Sequence, residues 1–214
     1  MTNTRNEAIR EELGAMLERA DFDALVAHEG SKMALIRALI AMSYDKEQLT
    51  SWRAFDAIGR IVASMNTEKG RQIIQRILWM MRDESGSNSW TGPEIIGEIV
   101  ARSPKPYRDI GPIMSTFHDE LIMAAGCMRA VWRIASADKD AFKGFENVAL
   151  HHTAPEERPE VRGHAALALG ALDAKEHAEV LQSMKSDTRK FRLYADGEFR
   201  EITVSDAASI ALGE

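Results

Sequence analysis

Trp79, Asp83, Glu84, Asn88 and Trp90 place two indoles, two carboxylates and one amide within twelve residues of each other. Indoles offer flat apolar faces with a ring N–H donor, carboxylates accept hydrogen bonds and carry charge, and an amide both donates and accepts. Trp79 lies one helical turn ahead of Asp83, so an aromatic face and a carboxylate can converge. The other four fall in DESGSNSWTGPE, residues 83 to 94, and no Lys or Arg occurs between Arg82 and Arg102. Such a set suits recognition of a cationic partner, a Lys or Arg side chain, or a small ligand seated between the indoles. A purely structural reading stands beside it: Trp79 in the core, Trp90 as a staple over the loop, and Asp83 bonded to amides of the turn. The end of the segment reads as a helix start. Thr91 and Glu94 have capping-box spacing, and Pro93 falls in the first turn, where its missing N–H is harmless.

Patterns that would support catalysis are weak. There is no G-x-S-x-G elbow and no glycine-rich phosphate loop. S-x-x-K occurs at Ser43–Lys46 and at Ser136–Lys139, each without its accompanying motifs. Cys127, the single cysteine, has small and apolar neighbours and reads as a buried inert thiol. His151 and His152 are adjacent, and neighbours on a helix point about 100° apart, so they make no ready bidentate metal site. No catalytic residue, metal or cofactor is predicted.

The bulk numbers narrow the classes further. A net charge of −6 disfavours a general nucleic-acid binder. The most apolar helical stretch, MALIRALIAM at 33 to 42, carries Arg37 and is too short to span a bilayer, which needs about 20 apolar residues. The opening MTNTRNEAIREEL is polar and helical in pattern, and a single thiol excludes an internal disulfide. These features predict a cytoplasmic protein whose partner is another protein; its oligomeric state is left open.

The elements that would hold these side chains are helices. In KMALIRALIAM, QIIQRILWMM, ELIMAAGCMRAVWRI and VRGHAALALGAL, apolar residues recur every three or four positions. An aliphatic-Gly-x-aliphatic motif appears as Ile58-Gly59-Arg60-Ile61, Ile96-Gly97-Glu98-Ile99 and Leu169-Gly170-Ala171-Leu172. Val131-Trp132-Arg133-Ile134 is a degenerate copy, Leu212-Gly213 a final one, and Leu13-Gly14-Ala15-Met16 an earlier candidate. The positions 59, 97, 132, 170 and 213 are separated by 38, 35, 38 and 43 residues. Asp45, Asp83 and Asp119 run in the same phase, 14, 14 and 13 residues before their motifs, and Asp187 precedes the last by 26, which implies an insertion. Each unit therefore reads as a pair of helices with a small residue at the closest approach, and pairs of this kind bury their apolar faces by stacking.

PEVRGHAALALGAL, residues 159 to 172, resembles the first helix of a HEAT repeat, in particular the short type named after phycobilisome lyases. DKEQLTSWRAFDAIG, residues 45 to 59, is similar in its Asp, its Arg and its closing Ile-Gly. The resemblance covers most of residues 22 to 214. It implies an all-α fold: a right-handed α-solenoid of about five HEAT-like helix pairs forming a single domain over residues 1 to 214. It implies little about function, since such arrays serve as scaffolds, carriers and enzymes. Deoxyhypusine hydroxylases hold iron with several His-Glu pairs on this scaffold. Here His28-Glu29 is the single such pair, and Gly163-His164 stands where the family has another. Trp79 and Asp83 resemble the Trp and Asp of HEAT-like alkylpurine DNA glycosylases, yet residues 83 to 98 carry four acids and no basic residue, which repels phosphates. A bilin-type lyase would bind an open-chain tetrapyrrole. The expected function is a non-enzymatic adaptor or scaffold that binds through Trp79, Asp83, Glu84, Asn88 and Trp90, with a small-ligand carrier, for example of a tetrapyrrole, or an enzyme with a pocket near Trp79 and Trp90 as the alternative.

One segment breaks the helical pattern. In FRLYADGEFREITV, residues 191 to 204, Asp196-Gly197 separates two runs rich in aromatic and β-branched residues, which predicts a β-hairpin. Ser205 is then the expected cap of a last helix. The hairpin is expected to cover the open C-terminal end of the array, with a docking edge as the other possibility.

Overall fold

The three- and four-residue periodicity of the sequence becomes twelve α-helices in the computed structural model, which describes residues 2–82, 90–142, 146–173 and 175–214. In chain order they are α1 (Thr2–Glu18), α2 (Phe22–Ala27), α3 (Lys32–Met42), α4 (Leu49–Ala63), α5 (Thr67–Arg82), α6 (Gly92–Arg102), α7 (Ile110–Ser115), α8 (Ala124–Ala137), α9 (Glu146–His151), α10 (Pro159–Asp173), α11 (Ala178–Met184) and α12 (Val204–Leu212). Two strands, β1 (Lys190–Ala195) and β2 (Glu198–Thr203), form an antiparallel hairpin near the C-terminus. No helix among the described residues is long and apolar enough to cross a membrane.

Five of the helices form a row, α4 on α6, α6 on α8, α8 on α10 and α10 on α12. Burial follows from that position: every residue of α4 from Ser51 to Gly59 and of α6 from Gly92 to Val100 is buried. The flanking helices are one-sided. In α5, Ile73, Ile74, Ile77 and Met81 face inward while the intervening charged residues stay wet.

The repeated small residues do what their spacing implies. A Cβ on Gly59 would lie 2.9 Å from the backbone of Glu98, one on Gly97 2.8 Å from Ala130 Cβ, and one on Gly170 2.6 Å from Ala211 Cβ. These contacts set the distance between successive row helices. The weaker copies do not. In α8 the motif position is Trp132, whose indole lies beside His164 of α10 with ring centroids 6.3 Å apart; Gly213 is a left-handed helix cap with φ 76° and nothing near it; Gly14 meets only Met42 Cε at 3.8 Å. Two outcomes of opposite sign follow in urea denaturation. Gly97→Val is expected to lose about 1–3 kcal/mol by overpacking, whereas Gly14→Ala is expected to gain up to about 1 kcal/mol from helix propensity.

Two of the recurrent aspartates, Asp45 and Asp187, are turn formers, whereas Asp119 is exposed and pairs with His118, and Asp83 lies outside the described residues. The amide of Glu47 donates to Asp45 Oδ1, and the amide of Arg189 to Asp187 Oδ1, both at 3.0 Å and both two residues on. Asp187 is also held far below the usual carboxylate range by its bonds to Arg189 and Arg162.

Asp196 and Gly197 both adopt positive φ, 54° and 83°, as a two-residue hairpin turn requires. The cap of α12 is Thr203, in a capping box with Asp206, while Ser205 donates instead to the Lys185 carbonyl. The destination of the hairpin differs from the sequence expectation. Its base packs on α10, where Phe191 meets His164 at 5.3 Å between rings, and its tip reaches α4, where Arg53 donates to the Gly197 carbonyl at 2.8 Å and pairs with Glu198 at 2.6 Å. Arg53 also donates to the carbonyls of Leu17 and Glu18, satisfying the C-terminal end of α1. The hairpin is thus a strap along the row and not a cover over its C-terminal end. The cause is Trp52 of α4, whose indole packs against Phe55, Tyr194 and Phe199 with ring centroids 5.5 to 5.8 Å apart.

Candidate functional site

Trp79 projects from α5 and is 66% exposed, so it is not a core residue. Trp90 lies against Tyr44, ring centroids 5.1 Å apart and edge-on, and its indole N–H donates to the Tyr44 carbonyl at 3.4 Å. Asp83, Glu84 and Asn88 lie outside the described residues.

Glu94 departs from the sequence expectation. Thr91 occupies the N-cap of α6 without a side-chain cap bond, so the capping box does not form. Glu94 instead turns inward and takes Lys46 Nζ on Oε1 at 2.5 Å, an ion pair that outcompetes a bond to a local amide. Lys46 also donates to the Trp90 carbonyl at 3.3 Å, which ties this pair to the end of the 83–94 segment. Room for the carboxylate comes from Gly126 of α8, where a Cβ would lie 2.6 Å from both oxygens. The second oxygen, Oε2, is buried and has no partner among the described residues.

Glu94 lines a cavity of about 550 Å³ between the hairpin and the helix row, together with Lys46, Trp52, His164, Phe191 and Phe199. His164 of α10 is 2% exposed and contributes a second unpaired group. Its Nδ1 lies 2.7 Å from the Glu160 carbonyl, which can only accept, so Nδ1 carries the proton and Nε2 is a bare lone pair. Burial, and then the charge of Arg129, push its pKa down to about 3, so the ring is neutral at physiological pH. Around the mouth, Arg192 pairs with Glu47, Lys190 with Glu201, and Arg158 with Glu160. The charges at the rim are therefore spent on one another, and the two residues that carry unpaired acceptors line the wall beside three aromatic rings.

A second buried ionic group sits deeper. Glu98 of α6 is 1% exposed and accepts from Arg129 Nη2 at 2.7 Å and from Arg133 Nε and Nη2 at 3.1 Å. Burial raises its pKa, but the two guanidinium groups outweigh burial and hold it at about 2. Arg129 in turn lies over the rings of Trp52 and Tyr194, at 5.2 and 5.7 Å from their centroids.

No group of three or more His, Cys, Asp or Glu side chains among the described residues is placed to hold a metal ion. His118 and His152 instead bond to each other at 3.0 Å, and His152 to Glu157 at 2.7 Å. Cys127 is buried, and burial pushes its thiol pKa up strongly, which makes it a poor nucleophile. Sequence reasoning passed over Glu94, Glu98 and His164, although a signal was present: each is a polar residue set in an otherwise apolar helical run, GPEIIGEIV or VRGHAALALGAL.

No protein-family model matches the chain, and no curated protein matches it. Among solved structures, the crystal structure of an engineered protein aligns with 100% of this chain and 90% of its own, with a TM-score of 0.57 and 16% identity. Likeness at that identity shows a shared fold and carries no activity.

Proposed function

We propose that this protein binds a small organic molecule bearing N–H donors in the cavity between the hairpin and the helix row. One observation carries the reading: Glu94 Oε2 and His164 Nε2 are both buried acceptors without partners among the described residues, and both residues line that cavity. A buried polar group left unpaired costs about 1–3 kcal/mol, so two on one wall are best accounted for by a ligand that supplies donors. Trp52, Phe191 and Phe199 suit an apolar or aromatic body, and the Glu94 carboxylate suits a cationic head such as an ammonium or guanidinium group. Stacking of the row helices in chain order supports the further proposal that the scaffold is a right-handed HEAT-like solenoid of about five helix pairs, and the single cysteine supports a cytoplasmic setting.

Titration with benzylguanidine and benzylamine, followed by calorimetry and thermal unfolding, tests the reading. Wild-type protein is expected to bind and to be stabilised, and Glu94→Gln to bind at least tenfold more weakly, since a charge-assisted hydrogen bond is lost. His164→Phe keeps the ring and removes the unpaired nitrogen, so it should stay folded while losing affinity. Absence of binding by folded wild type at millimolar probe would sink the proposal. A second reading, an adaptor that docks a protein near Trp79, Asp83, Glu84, Asn88 and Trp90, is favoured by the exposed indole of Trp79, because Trp is enriched at interface hot spots.

A further inference from the structure

A different cavity, about 440 Å³, opens on the row beside the hairpin turn and is lined by Asp56 and Arg60 of α4, Glu98 and Arg102 of α6, and Arg129 and Arg133 of α8. Its charges do not balance. Asp56 Oδ1 accepts from Arg60 Nε at 2.8 Å and also from Arg102, while Glu98 accepts from Arg129 and Arg133. Four guanidinium groups therefore share two carboxylates, an excess of two positive charges (4 − 2). A third carboxylate at the rim, Asp196, is 84% exposed and is paired with Arg200, which lies outside the set.

The donors do not balance either. Arg129 Nε and Nη1, Arg102 Nε and the Tyr194 hydroxyl are buried and have no partner within the described residues. Arg129 is 1% exposed and Tyr194 3%, so water does not satisfy them from outside. Residues of α6, α8 and the hairpin that line this one cavity thus carry unpaired donors beside surplus positive charge, and guanidinium groups match oxyanions through paired N–H bonds.

We propose that this cavity is a binding site for a dianionic phosphate group, either inorganic phosphate or a phosphate monoester. A tetrahedral dianion neutralises the excess charge and offers acceptors in the several directions from which these donors come. Tyr194 contributes a neutral hydroxyl, because burial keeps its proton on. The site lies apart from the Glu94–His164 cavity and does not depend on it.

The test titrates the full chain with inorganic phosphate, phenyl phosphate and sulfate, each against sodium chloride of equal ionic strength, reading melting temperature and calorimetric affinity. Stabilisation by phosphate beyond that of chloride is expected. Phosphate affinity should increase from pH 5.5 to pH 7.5 as the dianion forms, with a second pKa of about 6 for a monoester, while sulfate affinity should not. Tighter binding of phenyl phosphate than of inorganic phosphate would identify a monoester as the ligand, and the reverse would identify the free ion. Arg102→Gln, at a partly exposed position, and Tyr194→Phe, which keeps the ring, should remain folded and bind roughly tenfold and several-fold more weakly. Arg108→Gln, at an exposed position that neither lines the cavity nor pairs with a residue that does, should bind as wild type. Equal stabilisation by phosphate and chloride overturns the proposal, and so does undiminished binding by both Arg102→Gln and Tyr194→Phe.

Discussion

A Glu98→Ala protein should lose about 3–5 kcal/mol of folding free energy at pH 7, read as a shift in the urea midpoint at unchanged slope. Removing the carboxylate leaves Arg129, 1% exposed, with a full charge and no counter-ion, and leaves Arg133 without its acceptor. The loss exceeds that from an exposed ion pair because the Arg129 charge cannot recover water. Acid titration gives an independent reading of the same interaction. The Glu98 carboxyl lies at about 2 in the folded chain against an ordinary 4.5, so its contribution is complete above pH 4.5 and disappears as pH falls toward 2. The difference in stability between wild type and Glu98→Gln should therefore narrow across that window, from on the order of 3 kcal/mol toward zero. A difference that stayed constant from pH 5 to pH 2.5 would show that Glu98 does not act through its charge.

Trp52→Ala should have a comparable effect, about 3–5 kcal/mol, and a more specific signature. The indole contacts Phe55 within α4 and Tyr194 and Phe199 of the hairpin, lies beneath Arg129, and donates to the Lys46 carbonyl at 2.8 Å. Its truncation opens a void at the point where the hairpin meets the row, so residues 190–203 should become the first site of proteolytic cleavage. Trp52→Phe keeps an aromatic ring in the stack while losing the N–H bond and part of the ring contact, and should restore much of the stability and resistance. If Trp52→Ala unfolded at the wild-type midpoint with the hairpin still protected, the strap would have to be held elsewhere, by Arg53 and its bonds to Gly197 and Glu198.

What could be read from the sequence was local. Gly59, Gly97 and Gly170 mark close approaches because a helix crossing leaves no room for Cβ, and that demand recurs in α4, α6 and α10. Asp196-Gly197 specifies a turn because few residue pairs accept positive φ at both positions. Features decided by distant residues were not legible. Thr91 and Glu94 have the spacing of a capping box, but Lys46, 48 residues earlier, takes the carboxylate. Trp132 fell on the repeat interval, yet its indole faces His164, 32 residues later, with ring centroids 6.3 Å apart. The direction of the hairpin depends on Arg53 and Trp52, nearly 150 positions upstream, and no window of sequence contains both ends of that contact. The candidate cavities are bounded by that same hairpin, so they were hidden with it. Trp79 and Trp90 drew notice as residue types, whereas Glu94 and His164 matter through what surrounds them.

The bonds from Arg53 to the hairpin tip span 144 and 145 residues of a 214-residue chain. A row of helices joined only to its neighbours can fray from one end and be lengthened or shortened by whole units. Here the last quarter of the chain folds back to clasp the first, which closes the row into a loop of contacts. Folding must then wait for nearly the entire chain, and long-range closure of this kind slows it. Once closed, neither end can peel away alone, so melting should be a single cooperative event and deletion from the C-terminus should destabilise α1 and α4 as much as the helices beside the cut.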